Sequence, residues 1–283
     1  MGLSLRRIIE APTWADLKSR LISAVVLGLI VLALLIIGGW PFRVLCCAAA
    51  VIVFDEWSRM TRAKRAGPIF TFARRTLLLS LLLFFFGFNT LAVAVVALGS
   101  LFIAFVDRRE RKADWVLGGL VYAALAGLAP GMLRGDEIEG LAALGFVICI
   151  VWPTDIFAYF AGRTFGGPKL LPAVSPKKTI SGAVGGLVAG VVFGVAFFWW
   201  VTGFVSVFVV VLAAVLSLIG QAGDLFESWV KRRFGVKDSG RIIPGHGGLM
   251  DRVDALLVAI AAAWAVGTLM HGFAHPARAI FQL

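Results

Sequence analysis

Apolar runs close to membrane-spanning length alternate with short charged loops along the whole chain, and none shows strict two-residue alternation. Breakers divide the runs into spans near 21–38, 43–58, 76–88, 90–106, 115–132, 141–162, 183–201, 204–227 and 252–271. Two places decide the count. Residues 77–105 read either as one long tilted helix or as a hairpin broken around Gly87 to Asn89, whereas 183–227 exceeds one span and contains Thr202-Gly203, so it makes two. A bilayer offers no water to unpaired amides, so runs without strand alternation must be helices. The pattern predicts an all-α integral membrane protein, a polytopic bundle of about nine transmembrane helices. Residues 76–88 make a short span, expected to tilt little or to cross incompletely.

Charge placement chooses between the two readings of 77–105. With nine spans, the odd-numbered segments (the N-terminus, 58–75, 107–114, 163–182 and 228–252) hold 24 of the 27 Lys and Arg residues. Only Arg43, Arg134 and Arg278 fall on the other side. Lys and Arg concentrate in cytoplasmic loops, which places the N-terminus in the cytosol and the C-terminus outside. Merging 77–105 would put large basic loops on both faces.

Composition agrees. Mean hydropathy is +0.94 and only 15% of residues are charged, values of a multi-pass membrane protein. The first run is longer than a signal-peptide core and ends in Gly-Gly-Trp-Pro without a cleavage pattern, so it reads as a retained span. Residues 1–20 mix Leu, Ile and Trp with charges and suit a short interfacial helix. Cys46, Cys47 and Cys149 lie in apolar runs, fit no disulfide or zinc spacing, and read as packing residues. The net charge of +11 does not indicate nucleic acid, because the cations sit in short loops on one face, beside anionic headgroups. Gly162 to Gly167 has Walker-like glycine spacing but runs into Pro168, and there is no His-Glu-x-x-His or Cys-x-x-Cys. No repeat or long linker appears, so 1–283 is one membrane-embedded domain with its chemistry in 141–271.

Three polar clusters fall on the cytosolic side of that topology. Asp155, Tyr159 and Arg163 are spaced by four on one helical stripe. Their bland reading is an Asp–Tyr pair that locks helices together. Ser175-Pro-Lys177-Lys178-Thr179 offers two ammonium groups and two hydroxyls to phosphate oxygens, or simply a solvated basic loop. The third cluster, Gln221 to Asp254, is the densest. Asp224 and Glu227 end one span, Asp251 and Asp254 begin the next, and each pair shares a helix face. Two carboxylate-bearing helix ends suit a hard divalent cation such as Mg²⁺. Between them, Lys231, Arg232, Arg233, Lys237 and Arg241 can neutralise a polyphosphate. Pro244 to Gly248 adds a glycine-rich backbone before a helix start, where free amides and the helix dipole favour phosphate. A salt-bridge network closing the loop is the alternative, and His246 alone would be an ordinary loop histidine. Together the groups follow the logic of phosphoryl or nucleotidyl transfer.

The segment Ser228 to Asp254, SWVKRRFGVKDSGRIIPGHGGLMDRVD, resembles the signature of the phosphatidate cytidylyltransferases, the CDP-diacylglycerol synthases. It matches their serine, Lys-Arg, Lys-Asp, Pro-x-His-Gly-Gly and Asp-Arg-x-Asp positions. Asp155-x-x-Ala-Tyr-x-x-Gly-Arg163, Ser175-Pro-Lys-Lys-Thr179 and Gly223-Asp224-x-x-Glu-Ser228 extend the match. The N-terminal half matches only as apolar spans and an Asp55-Glu56-Trp57 end to span two, and Ser181 departs from the family's Glu or Gln.

The resemblance implies that CTP and phosphatidic acid give CDP-diacylglycerol and pyrophosphate on the cytosolic face. It implies Asp224 and Asp251 as first Mg²⁺ ligands, Glu227 and Asp254 as further ligands or as groups that orient the ligands from behind, and a second cation such as K⁺ nearby. Lys177, Lys178, Lys231, Arg232, Lys237 and Arg252 would divide the CTP and lipid phosphates between them. Ser175, Thr179, Ser228, Gly247, Gly248, Asp155 and Arg163 would line the substrates, and His246 would meet phosphate or the leaving pyrophosphate. Lipid would enter sideways from the bilayer, and a homodimer stays open. The competing readings are an ion-coupled transporter, for which paired broken helices are missing, and a cytidylyltransferase for another lipid phosphate such as an isoprenoid ether lipid.

Overall fold

The computed structural model describes residues 26, 28–107, 113–240, 242 and 247–281. Nine α-helices stand among them: α1 (Gly28–Ile37), α2 (Gly39–Met60), α3 (Pro68–Phe85), α4 (Asn89–Val106), α5 (Asp114–Arg134), α6 (Ile138–Phe165), α7 (Ile180–Thr202), α8 (Val207–Arg233) and α9 (Met250–His271). Seven of these, α3 to α9, are long and apolar enough to cross a membrane. The interfacial helix expected over 1–20 lies outside the described residues.

The two doubtful breaks are real. The chain leaves α3 at Phe85, turns at Gly87 (φ 88°) and starts α4 at Asn89, while Gly203 (φ 77°) separates α7 from α8. Both glycines take a left-handed backbone that side-chain-bearing residues resist. Two boundaries need correction. The span placed at 76–88 is an 18-residue helix from Pro68, because proline is pre-set for a helix start and the Arg74 and Arg75 stems can run along the helix to the interface. Lys231, Arg232 and Arg233 are not loop residues: they form the last turn of α8, where cations oppose the negative end of the helix dipole.

α5 is the most enclosed helix and sits between two groups, with α2, α3 and α4 on one side and α9 on the other. The second group is α6 to α9, within which α6 and α7 pack most closely. Small residues make that approach possible: a Cβ at Gly186 would lie 2.6 Å from the Thr154 carbonyl, and one at Gly190 2.3 Å from the Thr154 hydroxyl. The buried Thr154 and Ser217 hydroxyls, 2.8 Å apart, tie α6 to α8.

One end of the bundle gathers the three cations set apart by the loop count. Arg134 donates to the Leu35 and Ile36 carbonyls (2.7 and 3.0 Å), Arg43 pairs with Asp136 (3.4 Å), and Arg278 pairs with Glu137 (2.8 Å). The other end carries the chemistry. There the fold departs from all-α: a two-stranded antiparallel hairpin, β1 (Lys169–Leu171) and β2 (Ser175–Thr179), stands where a basic loop was expected. The three described thiols are free, as expected of packing residues.

Candidate active site

Two of the sequence clusters and part of the third meet around one cavity of about 630 Å³. Its walls are the α6 stripe of Asp155, Tyr159 and Arg163, the hairpin residues Lys177, Lys178 and Thr179, and Gln221 and Asp224 of α8. On α6, Arg163 donates to the Tyr159 hydroxyl (2.8 Å), which fixes both side chains on the stripe. The hairpin is anchored at its base. Thr179 caps α7 by accepting from the Gly182 amide (3.1 Å), and the Ser181 hydroxyl donates to the Gly166 carbonyl. Position 181 is therefore a latch on the hairpin. Lys178 reaches across the cavity to an ion pair with Asp224, whose other oxygen faces the Ser228 hydroxyl at 3.4 Å. Ser175 begins β2.

Beside the cavity lies a more enclosed centre. Lys231, near the end of α8, pairs with Glu227 one turn earlier and with Asp251 of α9 at 2.9 Å. Asp251 also accepts from the Ser239 amide (2.9 Å) and the Gly248 amide (2.9 Å), tying the segment after α8 to the start of α9. Asp254 accepts from the Ala255 amide at 2.8 Å. Asp155, Asp224 and Asp254 lie within Coulombic range of one another, and Glu227 lies within range of both Asp251 and Asp254. Three helices thus bring five acids together against two lysines. Arg232, Lys237 and Arg252 are exposed. Arg241, Pro244 and His246 lie outside the described residues.

The residue that organises the centre comes from the other half of the chain. Glu56, near the end of α2, is only 1% exposed and accepts from the Leu249 (2.9 Å) and Met250 (2.8 Å) amides. A carboxylate on the first amides of α9 meets unpaired donors and the positive end of the helix dipole. The Ser239 hydroxyl faces the same carboxylate at 3.4 Å. The glycines of the signature follow from this contact: a Cβ at Gly240 would lie 2.5 Å from a Glu56 oxygen, and one at Gly248 2.1 Å from the Ser239 hydroxyl. Of the turn expected to offer free amides over 244–248, residues 244–246 lie outside the described residues, and the expectation is corrected only at Gly248 and the helix start. The amides of 248, 249 and 250 are already taken by Asp251 and Glu56. Next to Glu56, Trp57 donates to the Trp115 carbonyl (2.7 Å) and stacks on Tyr122 and Phe226, which seats the end of α2 against α5 and α8.

The donor set is all oxygen, as a hard cation requires. Glu227 supports the fit: it is buried, and apart from its ion pair with Lys231 neither oxygen makes a hydrogen bond. Among the described residues, however, no three acids or imidazoles are gathered as a formed metal centre. Lysines stand between the carboxylates instead. A site that holds anions and cations in exchangeable pairs, beside a cavity edged with further cations, can receive a polyphosphate.

The model of the cytidylyltransferase family matches residues 18–270. The chain belongs to this family. It is 40% identical over 262 residues to a phosphatidate cytidylyltransferase of Brucella abortus biovar 1 (strain 9-941), covering 93% of this chain and 96% of the relative. A phosphatidate cytidylyltransferase of Bacillus subtilis (strain 168) is 31% identical over 253 residues, 86% of this chain and 94% of the relative. As a member of the cytidylyltransferase family, the chain places the described parts of its resemblance motifs and Glu56 at one end of the bundle. Sequence reasoning missed Glu56, Ser239 and Tyr122 as site residues. The adjacent acids Asp55 and Glu56 closing an apolar run were a usable signal. Tyr122, one of two tyrosines, has a buried hydroxyl without a hydrogen-bond partner and lies within Coulombic range of Asp224, Glu227, Asp251 and Asp254.

Proposed function

We propose that the chain transfers the CMP moiety of CTP to phosphatidic acid, giving CDP-diacylglycerol and pyrophosphate. One observation carries this reading: the α6 stripe, the hairpin lysines and Asp224 close on one cavity, in a chain similar over nearly its whole length to proteins named phosphatidate cytidylyltransferase. An oxygen of the lipid phosphate attacks the α-phosphorus of CTP, and the bond from that phosphorus to the bridging oxygen of pyrophosphate breaks. The attacking monoester has its second ionisation near pH ~6, so it arrives charged and needs no strong base. The work is positioning and charge neutralisation.

Lys177, Lys178 and Arg163, on the cavity wall, would take phosphate oxygens, and Lys178 can exchange Asp224 for one of them. Lys231, Arg232, Lys237 and Arg252 would hold the remaining phosphates from the side of α8 and α9, with Ser228, Gly247 and Gly248 lining that edge. Asp224, Asp251, Glu227 and Asp254 would hold Mg²⁺, with K⁺ as a second cation nearby, and bound metal would neutralise the triphosphate and the leaving pyrophosphate. Glu56 keeps the start of α9, and with it Asp251, in register with α8. His246, outside the described residues, would meet phosphate or the leaving pyrophosphate.

The topology proposed with this function has nine spans, a cytosolic N-terminus and the site on the cytosolic face, where CTP is found. The clustering of Arg43, Arg134 and Arg278 at the far end supports it. The whole chain then acts as one membrane domain whose catalytic half is 141–271. The test is purified protein given α-labelled CTP, Mg²⁺, K⁺ and phosphatidate in micelles. Label should enter the lipid phase only when phosphatidate is present. Folded protein that transfers no label to any phosphorylated lipid would sink the proposal.

A further inference from the structure

A second concavity runs between α2 and α3, outside the cavity of α6, α7 and α8. Its head, about 360 Å³, includes Asp55, Lys64 and Arg74 among its walls. Its tail, about 550 Å³, is walled by apolar residues and Cys47, and reaches Leu82 and Phe85. The two parts share Val51, Ile52 and Leu78, so they form one continuous groove.

Its dimensions and polarity match a lipid. From Arg74 to Phe85 is eleven residues of helix, about 16 Å of rise. A groove of that length can hold an acyl chain along it. Charge is confined to the head. There Asp55 is engaged by Arg59, and Lys64 stands 3.9 Å from it, at the limit of an ion pair, which leaves the mouth positive between Lys64 and Arg74. The head also lies at the end of the bundle that holds the active site: Ile242 of the signature segment forms part of its wall, and Asp55 adjoins Glu56.

We propose that this groove binds an acidic glycerophospholipid of the bilayer, with its phosphate on Lys64 and Arg74 and one acyl chain along Val51, Ile52 and Leu78 towards Phe85. The site is distinct from the cavity assigned to CTP and does not depend on which reaction that cavity performs. Basic loops alone concentrate acidic lipid loosely near a surface. A groove with a charged head and an apolar tail holds one molecule, by both head and chain.

The test is native mass spectrometry of the full chain released from bilayers containing phosphatidylglycerol and phosphatidylcholine with identical acyl chains. Wild type should retain one phosphatidylglycerol, favoured about tenfold over phosphatidylcholine. Two variants separate the parts of the proposal: the double substitution Lys64→Gln and Arg74→Gln removes the head contacts, and Leu78→Trp fills the groove. Leu78 is 45% exposed, so the indole does not crowd the core. Both variants should lower phosphatidylglycerol retention to the phosphatidylcholine level. Equal retention of the two lipids by wild type would overturn the proposal, as would wild-type retention by both variants. Loss only in the lysine–arginine variant would reduce the site to a charged surface, and loss only in Leu78→Trp would remove the phosphate assignment.

Discussion

Glu56→Gln is the substitution that most sharply separates this site from a set of independent helix ends. The Glu56 carboxylate receives the Leu249 amide at 2.9 Å and the Met250 amide at 2.8 Å, one on each oxygen. A glutamine side chain offers one acceptor and one donor, so one backbone N–H would face an NH₂ group. The loss is one charge-assisted hydrogen bond, about 1.5–3 kcal/mol, plus the anion at a helix start, about 0.3–2 kcal/mol. Together these give about 2–5 kcal/mol, which for a chain of this size lowers Tm in detergent by on the order of 5–15 °C. The start of α9 also sets Asp251 against Lys231, and a shift of ~1 Å in such a group costs on the order of 100-fold in rate. Well below the melting temperature, kcat should therefore fall about 10- to 100-fold while KM for CTP changes little. Glu56→Asp, whose shorter arm reaches at most one amide, should fall between. Asp136→Asn, at the far end and 67% exposed, should leave both quantities unchanged. Wild-type Tm and kcat in Glu56→Gln would show that α2 does not hold the start of α9.

Asp224→Asn and Asp251→Asn should both abolish turnover but differ in stability. Asp224 sits in a partly exposed pair worth under about 1 kcal/mol, whereas Asp251 also receives two backbone amides, so its substitution should cost about 2–3 kcal/mol, read as a drop in Tm for that variant alone. Lys231→Met leaves the buried Glu227 and Asp251 without their shared cation and should destabilise the protein by about 3–5 kcal/mol, seen as loss of monodisperse material on gel filtration. Gly248→Ala would place a methyl group 2.1 Å from the Ser239 hydroxyl and 2.7 Å from Glu56. It should reduce kcat as Glu56→Gln does, and a normal rate would mean that the contact with Glu56 is dispensable.

The parts of the site legible from sequence are those that helical period alone brings together. Asp155, Tyr159 and Arg163 repeat every fourth residue, and Asp224 with Glu227 and Asp251 with Asp254 share faces, so each group sits as its spacing implies. Glu56 was not legible as a partner of this centre, because Ser239 and Met250 lie 183 and 194 residues along the chain. No local period links such positions. The hairpin escaped for the opposite reason: strands of three and five residues with Pro172 and Pro176 beside or within them carry no usable alternation. Proline is tolerated there because the sheet has only edge strands. At Gly248 and the start of α9 the free-amide expectation failed, because sequence shows a glycine turn before a helix without showing which carboxylates already occupy its last amides.

Phosphorus NMR of the complete reaction tests the central claim most directly. Purified protein, unlabelled CTP, phosphatidate, Mg²⁺ and K⁺ should give the resonances of a CDP-diester and of pyrophosphate in equal amounts, at the expense of the phosphatidate monoester. Asp224→Asn should give neither. Release of inorganic phosphate from either substrate, or consumption of CTP without loss of the lipid monoester, would contradict the assignment of this membrane-edge site to cytidylyl transfer.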